Sequence, residues 1–277
     1  MNPIAFSTLA CPEWPIARII TAAQEYGYDG VELRGSGAYT GHVSTDMAPA
    51  DRAALRQRFA DAGVLIVSVT AYTRLAQLDQ AELAANLDIL RRYVDLAADL
   101  GAPVIRTYGG RLQSGFSREQ ANQVLAGALR QAGEYAASCG VTIALETHDD
   151  FSAGAAVSAV LEQVESPAVG ALWDILHPWR VSEPVEETLR LLASRTVHVH
   201  LRDAVRTDEG TQTVFLGEGE IPVRRIMEEL IAGGYEGAFV MEWERAWHPE
   251  LEPPEVVLPQ YASPMRAYLQ EFAQESP

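Results

Sequence analysis

Cysteine is scarce in this 277-residue chain, which contains only Cys11 and Cys139. Two cysteines do not make a disulfide framework, and no N-terminal segment has the basic, apolar and cleavage regions of a signal peptide. No apolar run reaches the roughly 20 residues that a membrane-spanning helix needs. We therefore expect a protein of the reducing cytoplasm that has no membrane partner.

Positive charge is also scarce, because 21 basic residues stand against 38 acidic ones and the net charge is −17. Such a balance repels polyanions unless a local basic patch overrides it, and the sequence contains no such patch. We therefore expect no nucleic-acid partner. The hydrophobic content of 48% is enough for a sizeable core.

The dominant pattern is an alternation of short apolar runs with long amphipathic stretches. Most runs are apolar at every position, which is typical of parallel strands covered on both faces. Eight such runs occupy residues 4–10, 30–34, 64–70, 103–108, 141–147, 169–174, 196–201 and 237–243. Eight strand-helix units predict an α/β fold, a closed (β/α)8 TIM barrel, as one domain over residues 1–277. A doubly wound open sheet is the alternative, but the chain has no dinucleotide-binding fingerprint.

Glycines and prolines predict where helices stop. Gly27, Gly63, Gly101 and Gly140 each follow the last residue of an amphipathic stretch, where a left-handed residue commonly ends a helix. The proline-rich segment 248–259 is followed by only one more amphipathic stretch, so we interpret it as the last strand-to-helix loop.

The polar residues that end the last four runs predict a metal site. In a barrel of this kind, chemistry gathers at the C-terminal ends of the strands. The four runs end in Glu146 and His148, in Asp174 and His177, in His198 and His200, and in Glu242 and Glu244. Acids buried on adjacent strands repel one another unless a cation lies between them. Glu146, Asp174, His200 and Glu242 form an oxygen-rich set that suits one divalent ion of Mn, Mg, Co, Fe or Zn.

The remaining polar residues receive supporting or substrate-binding roles. We assign His200 as the ligand and His198 as a buried group behind it, while His148 and Asp203 support the ligands or hold a loop. Arg106 either contacts the substrate or pairs with an acid, and we favour contact. Glu32, Arg206 and Trp14 complete the predicted substrate-binding set. The sequence "GEGE" (217–220) is interpreted as a turn before a helix, because its glutamates oppose an anion.

In combination, several segments resemble the xylose-isomerase-like barrel superfamily of sugar isomerases and epimerases. The most specific are "LETH", "WDILH", "HLRD" and "MEWE". The resemblance extends through nearly the whole chain, and it places the family's four metal ligands on Glu146, Asp174, His200 and Glu242. Its substrate-contacting histidine falls on His177.

The resemblance implies proton transfer next to a carbonyl group of a small sugar or polyol ketone, with Glu146 and Glu242 as acid and base. Ketose 3-epimerases, inosose isomerases and dehydratases, and hydroxypyruvate isomerases are the most similar members. An inosose-type dehydratase is the main alternative, since the same enediolate can expel a hydroxyl group. Barrels of this type often pair, so a homo-oligomer is compatible with the sequence.

Two less favoured alternatives share the fold. A zinc DNA-repair endonuclease needs a further histidine at the end of strand four, where this chain has Arg106 and Thr107. A non-catalytic sugar-binding barrel needs only the pocket. The larger hydride-shift isomerases use a lysine and a second metal, and this chain contains no lysine.

Overall fold

The fold was analysed in a computed structural model that describes residues 1–36 and 40–275. Residues 37–39, 276 and 277 of the expected single domain lie outside the described part. The strands, in chain order, are β1 (Ile4–Ser7), β2 (Gly30–Arg34), β3 (Leu65–Arg74), β4 (Val104–Tyr108), β5 (Thr142–Glu146), β6 (Val169–Asp174), β7 (Thr196–Leu201), β8 (Asp203–Thr207), β9 (Gly210–Val214) and β10 (Phe239–Met241). The helices are α1 (Ile16–Tyr26), α2 (Pro49–Asp61), α3 (Gln80–Leu100), α4 (Arg118–Ser138), α5 (Gly154–Leu161), α6 (Leu176–Arg180), α7 (Val185–Leu192), α8 (Val223–Ala232) and α9 (Pro254–Glu275).

Eight parallel strands close into a barrel in the order β1-β10-β7-β6-β5-β4-β3-β2. All eight predicted apolar runs supply one strand each, so the predicted (β/α)8 barrel is confirmed and the open sheet is excluded. The predicted glycine stops are also confirmed, because Gly27, Gly63, Gly101 and Gly140 have φ angles between 66° and 78°.

Side-chain alternation along the strands separates the core into two parts. Ile4 and Phe6 face outward and join the large cluster between the barrel and its helices, whereas Ala5 faces the barrel interior with Val67 and Val240. The interior layer near the N-terminal ends of the strands is therefore small and apolar. Side chains two residues further along a strand lie on the same face, one layer higher.

This upper interior layer carries the polar residues. Val104 is followed by Arg106 in β4, Ala144 by Glu146 in β5, Leu172 by Asp174 in β6, and Val240 by Glu242 after β10. All four polar side chains are buried. Strand alternation thus delivers one polar group per strand to the C-terminal mouth of the barrel.

Two segments differ from the sequence prediction. The segment 248–259 is not entirely a loop, because α9 begins at Pro254 and includes Pro259 and Pro264. Proline fits at the first position of a helix, where no backbone N–H is required. The pair β8 and β9 forms an antiparallel hairpin after β7 that we did not predict. Within the described residues, no helix combines the length and apolar character needed to cross a membrane.

Candidate metal and substrate site

The four predicted ligands meet at the mouth of the barrel. One ligand atom each from Glu146, Asp174, His200 and Glu242 lies within 4.8 Å of the others, and all four side chains are buried. Asp174 and His200 are direct partners in the register between β6 and β7, while Glu146 ends β5 and Glu242 follows β10. Four consecutive strands of the closed barrel therefore present one ligand-type group each.

The two ring nitrogens of His200 face opposite directions. Nδ1 lies 3.1 Å from Oε1 of Glu146 and 3.4 Å from Oε1 of Glu242. Nε2 lies 3.0 Å from Oε2 of Glu32, beneath the ligand group. Three carboxylates and one imidazole nitrogen are a donor set that a hard or borderline divalent cation accepts. The residues present therefore fit a divalent metal, with Nδ1 of His200 as the nitrogen donor.

Mutual electrostatics shift the pKa values of these groups. Burial raises the pKa of Glu242 to about 7, reinforced by Asp174 and Glu146 and opposed by His200 and Arg202. Burial acts on Glu146 as well, but Arg106 and His200 outweigh it and hold the pKa below its ordinary value. Burial likewise opposes the charged form of His200, yet Glu32, Glu242 and Glu146 raise its pKa well above the usual range.

Arg202 is a buried cation of this site that the sequence analysis missed. Its guanidinium group donates hydrogen bonds to Oδ2 of Asp174 and Oε2 of Glu242, and it lies 2.8 Å from Oε2 of Glu244. The signal was present in the sequence, because Arg202 follows His200 by two residues and strand alternation puts them on one face. The other Asp174 oxygen accepts the backbone N–H of Leu176 at 2.9 Å.

A cavity of about 290 Å³ opens beside the ligand group. Among the predicted residues, Arg106 and His148 line it together with Glu146 and Glu242. Arg106 donates from Nη1 to Oε2 of Glu146 at 2.9 Å and also to the hydroxyl of Tyr108. Both of the interpretations left open for Arg106 therefore have a geometric basis, since it pairs with an acid and also faces the cavity.

His148, which lines the cavity, packs against His177. Their ring centroids are 4.5 Å apart, and Nε2 of His177 lies 3.4 Å from Oδ2 of Asp174. Burial lowers the pKa of His177 to about 4, although Asp174 favours the charged form. For His148, burial is outweighed by Asp149 and Glu146, which raise the pKa. His177 is thus a neutral imidazole at neutral pH.

Three residues predicted to bind substrate have their main contacts elsewhere. Glu32 is fully buried. Its Oε2 accepts a hydrogen bond from the Ser68 hydroxyl and also faces His198 and His200. Trp14 packs against Arg18, whose guanidinium lies 4.8 Å from the ring centroid. Arg206, on β8, covers the ring of Trp179 and donates to its carbonyl oxygen. The contacts of Glu32 and Arg206 could not be read from the sequence, because they depend on packing between separate segments, whereas Trp14 and Arg18 are only four residues apart.

His198 and Asp203 have structural contacts. Nε2 of His198 lies 3.2 Å from Oε2 of Glu32 and 3.2 Å from the Ser68 hydroxyl. The Asp203 carboxylate accepts backbone N–H groups of Gly217 at 2.9 Å and Gly219 at 3.0 Å, which belong to the "GEGE" segment. A methyl group on Gly219 would lie 2.0 Å from Oδ1 of Asp203. Asp203 therefore holds the loop, which is one of its two predicted roles, and position 219 has no room for a larger residue.

The fold is a closed parallel (β/α)8 barrel, and its mouth carries three acids and an imidazole on consecutive strands. A model of the xylose isomerase-like TIM barrel family matches residues 20–261. The chain belongs to this family, and the resemblance inferred from the sequence is confirmed.

Relatives and solved structures extend over nearly the whole chain. The chain is 26% identical over 246 residues to a fructoselysine 3-epimerase of Shigella flexneri, covering 82% of this chain and 85% of that protein. A solved L-ribulose 3-epimerase superposes with a TM-score of 0.81 at 19% identity, covering 99% of this chain and 97% of the other. The IOLI protein, solved with a bound zinc atom, superposes with a TM-score of 0.81 at 16% identity and covers 98% and 99%. These two structural similarities show the fold.

Proposed function

We propose that this protein is a metal-dependent epimerase or isomerase of a small ketose or related polyhydroxy ketone. The observation that carries the proposal is the convergence of Glu146, Asp174, His200 and Glu242 on one point beside the cavity. The similarity to a fructoselysine 3-epimerase supports epimerase chemistry, and the zinc atom of the IOLI protein supports a divalent metal.

The two glutamates are positioned to act as acid and base. Glu146 and Glu242 are separated by β6 and β7, and each has one oxygen facing Nδ1 of His200 and the other held by an arginine. Arg106 holds Glu146, and Arg202 holds Glu242. Each carboxylate is therefore fixed in orientation from the side opposite His200, which is the preorganisation that proton transfer needs.

A proton next to a carbonyl group becomes acidic when negative charge on the carbonyl oxygen is stabilised. A divalent cation held by Glu146, Asp174, His200 and Glu242 would supply that stabilisation. One glutamate removes the carbon-bound proton, the electron pair of the C–H bond forms the C=C bond of an enediolate, and the π pair of the carbonyl moves to its oxygen. The other glutamate returns a proton to the opposite face of the carbon, which inverts its configuration.

Metal content and proton exchange test this function together. We expect about one divalent ion per wild-type chain and a sharp loss in Glu146→Gln, with Glu134→Gln, an exposed glutamate of α4, as the matched control. In deuterated water, the active protein should introduce deuterium at one carbon of its ketose substrate. Wild-type protein that stays metal-free under saturating divalent ion, or that exchanges no proton across a ketose panel, would contradict the proposal.

The same experiment decides between epimerase and dehydratase. Epimerisation retains every oxygen of the substrate, whereas dehydration releases one water and leaves a product of correspondingly lower mass. We expect an isobaric product, because the relatives whose sequences match over most of the chain include epimerases.

A further inference from the structure

The mouth of the barrel is divided by charge. The ligand group comes from β5, β6, β7 and the end of β10, which are neighbours in the barrel. The adjacent strands on the other side carry guanidinium groups, because β2 ends in Arg34, β3 ends in Arg74 and β4 contains Arg106. The cavity beside the ligand group therefore extends toward arginines.

Arg106 is the innermost of the cavity arginines. Its side chain is buried, lines the cavity and lies between the rings of Tyr72 and Tyr108, with centroid distances of 5.0 and 4.2 Å. Nη1 is used by Glu146 and Tyr108, but Nε has no hydrogen-bond partner among the residues that the structure describes. A buried donor of this kind costs free energy unless an acceptor is supplied.

Arg74 and Arg111 line the outer part of the same cavity. Arg74 forms no salt bridge within residues 1–36 and 40–275. Its aliphatic carbons lie against Gly110, where an added Cβ would be 3.1 Å from the Arg74 Cβ. Arg111 has one weak ionic contact, with its Nε 3.5 Å from Oδ1 of Asp149, and its side chain is 86% exposed. Both guanidinium groups can therefore accept another anion.

The acids beside these arginines also lie close to other basic groups. Glu244 lies 2.8 Å from Arg202, and Asp149 lies 3.4 Å from Nδ1 of His148. Glu146 and Glu242 belong to the proposed metal site. The lining of the cavity contains three arginines and four acids. Of these arginines, Arg106 pairs with Glu146, Arg111 has only the weak contact with Asp149, and Arg74 has no salt bridge among the described residues. Arginine is suited to bidentate binding of phosphate and carboxylate groups.

We propose that the substrate carries an anionic group, a phosphate ester or a carboxylate, at the end remote from its reacting carbons. Arg74 and Arg111 bind this group at the cavity mouth. The proposal rests on the function proposed above, because it places the reacting carbons at Glu146 and Glu242.

Matched ligands test the proposal. D-Fructose, D-fructose 6-phosphate and D-fructuronate have the same backbone length and differ in the group at the remote end, and L-ribulose with L-ribulose 5-phosphate gives a second pair. Equilibrium binding to the metal-loaded protein and turnover are measured for wild type, Arg74→Ala, Arg111→Ala and the exposed control Arg58→Ala. We expect at least one anionic ketose to bind 10-fold or more tightly than its neutral counterpart, with the phosphate and carboxylate arms identifying the group.

The variants then identify the residues responsible. Arg74→Ala and Arg111→Ala should each reduce binding of the anionic ketose about 10-fold, raise its KM more than they lower its kcat, and weaken binding of the neutral ketose much less, while Arg58→Ala changes neither. Equal binding of neutral and anionic ketoses, or discrimination that survives both substitutions, overturns the anionic-substrate proposal even when turnover is observed. Charge-dependent binding without proton exchange instead supports the anion site and contradicts the proposed epimerase function.

Discussion

Nε2 of His200 and Oε2 of Glu32 lie 3.0 Å apart, and both side chains are completely buried. Because Nδ1 of His200 faces Glu146 and Glu242, the Nε2 proton is directed to Glu32. A carboxylate that accepts this proton fixes the tautomer and the ring orientation of a metal-binding histidine. Glu32 therefore lies in position to orient His200 from beneath.

Replacing Glu32 tests this arrangement. We expect Glu32→Gln to weaken divalent-metal binding by about 10- to 100-fold, because the neutral amide no longer supports charge on the imidazole. Ser68→Ala removes only the 2.7 Å hydrogen bond from the Ser68 hydroxyl to Glu32, so we expect it to weaken metal binding less than Glu32→Gln does. Titration calorimetry with Mn²⁺ measures the affinity. An unchanged affinity in folded Glu32→Gln protein would mean that His200 needs no such support.

Arg202 is the shared cationic partner of three acids. In Arg202→Met, Asp174, Glu242 and Glu244 lose their common cation, and we expect the free energy of unfolding to fall by about 3 to 5 kcal/mol. Saturating divalent ion should restore part of this loss, because it binds two of the same carboxylates in the folded state only. Urea denaturation with and without Mn²⁺ provides the measurement.

The control for Arg202→Met is Arg190→Met. Arg190 pairs with Glu187 at 2.6 Å on α7, but both side chains are largely exposed, so the expected loss is below about 1 kcal/mol. Equal effects of the two substitutions, or a loss in Arg202→Met that metal does not reduce, would show that Arg202 serves packing alone.

His177 should make metal-free protein sensitive to mild acid. Its pKa in the folded chain is about 4, whereas an unfolded histidine titrates near 6.5. As the pH falls from 6.5 to 4, the unfolded chain takes up a proton that the folded chain does not, so the free energy of unfolding decreases. The difference between these two pKa values corresponds to about 3 kcal/mol of folding stability, which is present above pH 6.5 and fully lost below pH 4.

Urea midpoints at pH 7 and pH 4.5 check this linkage. We expect the difference between the two midpoints to be clearly smaller in His177→Gln than in the wild type, both stripped of metal with a chelator. His248→Gln is the control, because His248 lies in an exposed position beside Glu250. The same pH dependence in wild type and His177→Gln would exclude His177 as its origin.

Much of the site could be predicted because the polar residues at strand ends obey a simple rule. Parallel strands in a closed barrel all point the same way, so their last interior-facing residues meet at one mouth. Glu146, Asp174, His200 and Glu242 follow this rule. Arg202 follows it too, and was missed because an arginine beside a histidine does not itself suggest a ligand group.

Other residues could not be placed from local patterns. Glu32 has the same sequence signal as Glu146, a glutamate at the end of a strand, yet it lies beneath His200 instead of lining the cavity. Trp14 and Arg206 were expected at the pocket and pack against Arg18 and Trp179. The depth of Glu32 within the barrel depends on the register of neighbouring strands, and the Arg206–Trp179 contact depends on how the β8–β9 hairpin packs.

The sequence by itself determined the eight barrel strands and four of the residues that reach the barrel mouth, because strand periodicity and helix stops are local properties of the chain. Only the tertiary structure decided which of the buried charged and polar groups form pairs. Glu32 and His200 are 168 residues apart in sequence, and Arg106, Arg202 and Asp203 each act through a partner on another segment. Those pairings arise when the barrel closes, since closure removes the solvent and brings distant charges within a few ångströms.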